Sequence, residues 1–414
     1  MPRYPWAVRA GGPLLIGGGG APIDPTITFT WDTENGQALP GGTTFTRASV
    51  KQEFDGTDFT ELSSGAIPEN SAAVGGGAQG FNPEPAATNL LAVSTPNETD
   101  WSAFNQLSLT SQGIGAIGLE VVRMDAGGGA STQHGRFEGV VGDVQLGNDY
   151  AFSTLGKDVT GTFLALRGDL PSSAAARFNV ATGAIASADP SATANITSRG
   201  NGWSLCEIAW TGTGTATSNV ILATDNSGGL GSVPRNYPGG NEQIDVVTAQ
   251  VEETLFSTSP IITTGSTLTR LADVLDTGIA VTTEFSALLD VTLPIVIGAG
   301  NTITLLGPDA TPVDILLVDA ANDLIMDDGG TPVTIGAVTP GTRIKVAYGR
   351  DAAGRSASLD GATAVTGGAP DAGHVGETIE LGSRVGVNQS RCIHHLSTLF
   401  NVKKSDAELE ALSS

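Results

Sequence analysis

The chain has 414 residues, 40% of them apolar, with 56 glycines and 43 acidic against 20 basic side chains, for a net charge of −23. Such a length allows two or three domains at roughly 100–200 residues each, and such a charge excludes a phosphate backbone as the main partner, because an acidic field repels it. Nothing approaches the ~18 continuous apolar residues of a membrane-spanning helix, and two widely separated cysteines, Cys206 and Cys392, make neither a disulfide framework nor a metal site; both sit in apolar alternation and read as buried thiols.

Taken in chain order, residues 1–25 read as an extended arm. Met1–Ile23 carries Arg3 and Arg9 and no acid, and Pro2, Pro5, Pro13 and Gly17–Gly20 break any signal-like apolar run. It is the basic part of an acidic chain, which suits docking onto a partner; the alternative is an ordinary frayed terminus. Residues 26–94 hold short strands and glycine-rich loops, with Ile27, Phe29 and Trp31 alternating with threonines; this segment is expected to pack on the first sandwich.

Strand signals then recur every 8–12 residues, the spacing of sandwiches. A first sandwich is expected over 95–255, a connecting segment over 256–276 and a second sandwich over 277–414. In the last, Phe285, Ala287, Leu289, Val291 and Leu293 alternate with polar residues, as a half-buried strand requires. Hairpins are predicted around Ala320–Asp323 and Asp351–Gly354. One helix start is legible: Ser405-Asp-Ala-Glu408 is a capping box followed by Leu409 and Leu412. The fold class is therefore all-β: two tandem antiparallel jelly-roll sandwiches after an arm and a short β segment, closed by one short C-terminal helix.

Several short motifs stand in a fixed order. They are Thr44-Phe-Thr-Arg-Ala-Ser49, Phe54-Asp-Gly56, Glu84-Pro-Ala-Ala-Thr-Asn-Leu-Leu91 with Ser94, Trp101, Asn201-Gly-Trp203, Ala249-Gln-Val-Glu252, Thr258-Ser259, Thr269-Arg270 and Ala272-Asp273. This order resembles bacteriophage tail-fibre, tail-spike and head-fibre proteins, in which a carbohydrate-binding-like jelly roll precedes a laminin-G or concanavalin-like one. Arg343–Tyr348 with Ser358–Gly361, and Cys392–Leu396 with Ser405–Leu409, resemble the central hairpin and the closing strand and helix of a laminin-G-like domain. The resemblance covers residues ~40–414. It departs at Gln79-Gly-Phe-Asn82, where a Pro-Arg-Phe-Asp is usual. It implies architecture: the Gln-Val-Glu strand ends the first sandwich and Thr-Arg-Leu-Ala-Asp273 leads into the second. It also implies a virion location, other virion proteins as partners through residues 1–23, a homo-oligomer, with a trimer expected, and attachment to a host-surface glycan.

For chemistry the residues offer little. His394 and His395 are neighbours on a strand, so one is expected inside and one outside, and they cannot share a metal. His134 and His374 stand in glycine-rich polar stretches and read as solvated. Asp327-Asp328 and Asp55-Gly-Thr-Asp58 are candidate calcium turns, with ordinary turn chemistry as the plainer reading. No cofactor is expected otherwise. Glu252 and Glu253 point to opposite faces and are no catalytic pair; the Gly-x-Ser-x-Gly elbow of serine hydrolases does not occur. Trp101, Trp203 and Trp210 read as core. Tyr237, beside Arg235 and Asn236 on a Pro- and Gly-rich loop, is the candidate ligand contact. The expected function is a non-enzymatic virion structural protein that displays sandwich domains for glycan attachment. The alternatives are a ligand-free capsid cement and a virion-borne glycan hydrolase.

Overall fold

Apolar residues two apart share a strand face, and that rule builds most of the molecule. The computed structural model describes residues 27–30, 44–46, 51–54, 59–62, 84 and 86–414, apart from 106, 116–117, 128–130, 170–173, 226–235, 239, 241, 255, 294–301, 309–314, 328–330, 371–374 and 383–391. Within these residues the chain is strands and loops with one helix, Asp406–Ser413.

The first sandwich has two sheets. One runs, in spatial order, Thr193–Ser198, Trp203–Thr211, Asp149–Asp158, Gln243–Glu252, Glu120–Asp125, Ser108–Ile114. The facing sheet runs Ala184–Ala188, Ala175–Asn179, Phe163–Asp169, Ala216–Thr224, Ser131–Val144, Asn236–Pro238, with Ser102–Asn105 also on Ser131–Val144. Every pairing is antiparallel, and the core between the sheets includes Phe152, Phe178, Ile208, Trp210, Leu222 and Val251. Each large apolar side chain buried there contributes roughly 1.5–3 kcal/mol. Trp210 lies against Gly168, where an added Cβ would come within 2.8 Å of the indole, so only glycine fits that facing strand. Trp101 is fully buried and donates its indole N–H to the Val93 carbonyl at 3.0 Å. Trp203 opens its strand, as expected, and is buried too.

His134 is not solvated. It lies on the strand Ser131–Val144 of the first sandwich and is fully buried. Two residues on, the buried Arg136 donates to the carbonyls of Leu107 and Trp101 at 2.9 and 3.0 Å and pairs with Glu98.

The second sandwich also has two sheets. One is Ile27–Thr30, Ile393–Phe400, Phe285–Thr292, Arg343–Arg350, Arg355–Leu359, Val365–Gly367. The other is Thr44–Thr46, Val274–Ala280, Thr378–Leu381, Ile303–Pro308, Leu316–Val318, Asp323–Met326, Val333–Ala337. Leu289, Leu305, Leu316, Val346, Tyr348 and Leu381 are part of the core between them. The helix covers the outer face of the first of these sheets, where Leu409 and Leu412 meet Leu288, Ala347 and Phe400. Its capping box forms as expected: Glu408 N–H donates to Ser405 Oγ, and the Glu408 carboxylate accepts from Ser405 N–H at 2.8 Å.

The expectation that residues 26–94 pack on the first sandwich is corrected by the pairing. Ile27–Thr30 pairs with Leu396–Leu399 and Thr44–Thr46 with Val274–Asp276, both in the second sandwich. Lys51–Phe54 and Phe59–Leu62 form a hairpin with each other. Among the described residues of this segment, only the stretch from Glu84 joins the first sandwich, through Leu90 N–H to the Val251 carbonyl at 2.7 Å and a bridge between Leu91 and Val140. The physical reason is backbone pairing: Ile393–Phe400 and Val274–Ala280 each have a free side, and the N-terminal strands satisfy its N–H and C=O groups, becoming the new edges themselves.

Candidate functional site: a buried polar joint

The densest buried polar cluster lies where the first sandwich hands over to the second, and it gathers the ordered motifs. The strand Gln243–Glu252 lies inside its sheet, with Asp149–Asp158 on one side and Glu120–Asp125 on the other. Midway the register slips at a bulge, and Thr248 adopts φ 34°. A β-branched residue in the left-handed region is strained, at a cost of order 1–3 kcal/mol. The consequence is geometric. Val246 faces the core before the bulge, and Ala249 and Val251 face it afterwards. A bulge residue reverses the alternation, so Gln250 and Glu252 are turned to the outer face, where the connecting chain passes.

There the connecting chain is gripped residue by residue. Ser257 N–H donates to Glu207 Oε2 at 2.6 Å, Thr258 N–H to Glu252 Oε2 at 2.6 Å, and Ser259 N–H to Glu84 Oε1 at 3.1 Å. Three successive amides thus meet three different carboxylates. The Thr258 and Ser259 hydroxyls add bonds of 2.6 and 2.8 Å to Glu252 and Glu84. Gln250 accepts from Ile261 N–H at 2.6 Å and donates to the Thr258 carbonyl at 3.3 Å.

Asn89 uses its whole side chain. Its Oδ1 accepts from Leu91 N–H and Val251 N–H, both at 3.1 Å, and its Nδ2 donates to the carbonyls of Ile261 and Ala249 at 2.9 and 3.3 Å. That satisfies an amide's two donors and two lone pairs. Further along, Leu268–Arg270 pairs with Ala87–Asn89. The Arg270 guanidinium, 2% exposed, lies 3.2 Å from Glu84 and 3.8 Å from Asp273, while the Glu84 and Asp273 backbones are joined by Asp273 N–H to the Glu84 carbonyl at 2.9 Å. Asp273 immediately precedes Val274, the first residue of the strand that takes Thr46 as its partner.

Four carboxylates, Glu84, Glu207, Glu252 and Asp273, are therefore buried at the joint, two of them, Glu84 and Asp273, paired with the one guanidinium of Arg270. Burial raises Glu252 to about 7, against the lowering pull of its Thr258 and Gln250 bonds and of Arg270. Glu253, the neighbouring acid, points the other way and accepts from Asn148 on the exposed side at 2.6 Å. The joint ties backbone amides and carbonyls of three chain segments to buried carboxylate and amide side chains, which suits it to holding those segments in register. The legible motifs contributed Glu84, Asn89, Ser94, Gln250, Glu252, Thr258, Ser259, Arg270 and Asp273. Glu207 and the strained Thr248 carried no signal: one is a lone acid in an apolar strand, the other one more threonine.

The other expected sites lie elsewhere. Asn236 and Tyr237 belong to a short strand, Asn236–Pro238, paired with Ser131–Gln133, rather than to a free loop; Pro238 ends that strand at its edge position. Arg235 lies outside the described residues, as do Asp328, Asp55, Asp58 and His374. The backbone carbonyl of Asp327 accepts from Arg355. Among the described residues no group of three or more His, Cys, Asp and Glu could hold a metal. His394 and His395 are both buried, so the outward one is covered as well; His395 Nε2 lies 2.8 Å from Thr292 Oγ1. Burial and the adjacent His395 hold His394 down at about 3, so it is neutral. Cys206 and Cys392 form no disulfide and are fully buried, and burial raises the Cys206 thiol.

The sequence matches no protein-family model and no curated protein. Among solved structures it is similar to a Trypanosoma rangeli sialidase (TM-score 0.27, 9% identity, 74% of this chain and 53% of that one). It is also similar to domains LG4-5 of the mouse laminin alpha1 chain (TM-score 0.20, 9% identity, 63% and 84%). A third is the CBM22-1–CBM22-2 tandem of Paenibacillus barcinonensis Xyn10C (TM-score 0.25, 10% identity, 77% and 98%). The chain thus spans about half the length of the sialidase. Likeness at this level goes no further than β-sandwich architecture, which here rests on the strand pairing itself.

Proposed function

We propose that the chain is a non-enzymatic structural protein of a phage or phage-like particle, a tail fibre, spike or head fibre, that displays two sandwiches for attachment to host-surface glycan. The observation that carries this reading is the joint. Of the motifs that resemble fibre and spike proteins, those around Glu84–Asn89, Gln250–Glu252, Thr258–Ser259, Arg270 and Asp273 are scattered along the chain, yet they converge on one buried network. Such a network holds the connecting chain to the first sandwich and leaves little freedom before the second, which a display part under load requires. Glycan would be read at exposed rims, with the Arg235–Tyr237 stretch as the first candidate, and a homotrimer would turn weak single sites into avidity. The basic residues 1–23 would hold the protein to other virion proteins.

Immunogold electron microscopy of purified particles, with an antibody to residues 277–414, tests the reading. Label on fibres, tail tip or head is the expected result. Particles without label overturn it. Binding to a glycan array that falls at least tenfold in Tyr237→Ala tests the attachment role.

A further inference from the structure

We propose that the arm leaves the molecule from the second sandwich, so that this sandwich is held against the arm's partner and the first sandwich is carried outward. Chain order alone suggests the reverse: an N-terminal anchor, then the first sandwich, then the second at the tip. The inference rests on the anchoring role proposed for residues 1–23.

Its basis is the strand pairing. Ile27, four residues beyond Ile23, is the register partner of Leu399, and Thr30 that of Leu396. This strand is the edge of its sheet, and Thr44–Thr46 is the edge of the facing sheet. The opposite edges of the same two sheets, Val365–Gly367 and Val333–Ala337, lie against each other. The two N-terminal strands therefore occupy the same open side of one sandwich, and Ile27, the first described residue, lies on that side. Among the described residues nothing before Glu84 pairs with the first sandwich. The partner's chemistry follows from the arm, which has Arg3 and Arg9 and no carboxylate up to Ile23. An acidic protein surface that would repel the body of this molecule would attract the arm.

Two measurements on the full-length protein test this. Thr28 and Thr398 are register partners, and directly opposed positions of an antiparallel pair lie within disulfide reach. In Thr28→Cys/Thr398→Cys, mild oxidation should link the pair within one chain, seen as faster non-reducing migration at unchanged mass, with the parent protein unaffected. A dimer-sized product means that the strand comes from another copy, and no product means that it is not seated there; either overturns the inference. Second, gold-labelled tags in the turn at Thr182 and, separately, in the turn at Ala353 locate the two sandwiches on particles. The Ala353 label should lie nearer the particle. The reverse order overturns the inference while leaving the virion reading standing. Absence of both labels sinks the virion reading, and the outward placement with it.

Discussion

The two sandwiches complete their sheets in different ways. The first draws its strands from one continuous run, Ser102 to Glu252. The second takes an edge strand for each sheet from the far end of the chain, Ile27–Thr30 and Thr44–Thr46. The difference shows that domain order and chain order need not agree. It also gives the second sandwich a dependence the first does not have, since part of its stability is lent by residues more than 200 positions away from its own first strand. The joint bears on both, because its side chains come from before, within and after the first sandwich.

The largest expected effect breaks this contrast directly. Deleting residues 27–46 removes four register pairs from one sheet and three from the other. At about 1 kcal/mol per net hydrogen bond this is a loss of roughly 4–7 kcal/mol, confined to the second sandwich. Hydrogen exchange should show faster exchange in Ile393–Phe400 and Val274–Ala280, with Asp149–Asp158 unchanged. Equal loosening of both sandwiches would mean that they do not differ in this respect.

Next comes the joint. Arg270→Ala leaves Glu84 and Asp273 buried without their guanidinium, and breaking a buried pair from one side costs about 3–5 kcal/mol. Asn89→Ala strands two carbonyls and two amides and should cost a similar amount, about 3–5 kcal/mol. Both should loosen the connecting chain, read as protease cleavage between Ser257 and Arg270 in a protein whose sandwiches remain folded. A connecting chain as resistant as in the parent would show that the network is not what holds it.

Glu252 sharpens the comparison through pH. Its folded value, about 7, lies above the 4.5 of an ordinary glutamate, so the folded state binds more protons in between. Stability therefore falls as pH rises from about 4.5 to 7, by up to about 3 kcal/mol. His394, in the second sandwich, works the other way. Held at about 3 against 6.5, it makes stability rise with pH over that range. The two oppose each other between 4.5 and 6.5. Glu252→Gln should remove the falling component, so that denaturation midpoints rise with pH where the parent is flat. Parallel profiles for variant and parent would refute the assignment to Glu252.

How much of this was legible depends on whether a feature is local. Period-two alternation gave the strand Phe285–Thr292, and the Ser405–Glu408 spacing gave the helix start, because both patterns act over a few residues. The partner of Ile27–Thr30 was not legible, since a short strand satisfies any free edge equally well and the sequence does not record which edge is open. The joint was half legible. Glu84, Asn89, Glu252 and Arg270 stood out through the resemblance of their motifs, but not their facing. In Val246-Val247-Thr248-Ala249-Gln250-Val251-Glu252 strict alternation puts Glu252 on the core face with Val246; only the bulge at Thr248 turns it outward. A bulge held by backbone pairing and strain has no composition of its own when the bulged residue is not glycine. His134 failed for a related reason: glycine-rich flanks do not report the strand that follows.

The smallest expected effect tests whether the second sandwich is independent of the joint at its other end. Ser405 caps the final helix and accepts from Glu408 N–H, while the Glu408 carboxylate accepts from Ser405 N–H at 2.8 Å and Oγ at 2.7 Å. Ser405→Ala removes one half of this exchange and should cost about 1 kcal/mol. The loss should appear where Leu409 and Leu412 cover Leu288 and Phe400, as faster exchange of the outer sheet, without change in protease cleavage of the connecting chain. Its pH dependence identifies the cause. The Ser405 bonds hold Glu408 below its ordinary value, so their contribution is present above about 4.5 and lost as pH falls. Parent and variant should therefore draw closer in acid, where the Ser405 Oγ–carboxylate bond is lost, without converging, because the Glu408 N–H to Ser405 Oγ bond does not titrate. A gap that does not narrow in acid would show that the bond from Ser405 Oγ to the Glu408 carboxylate contributes nothing.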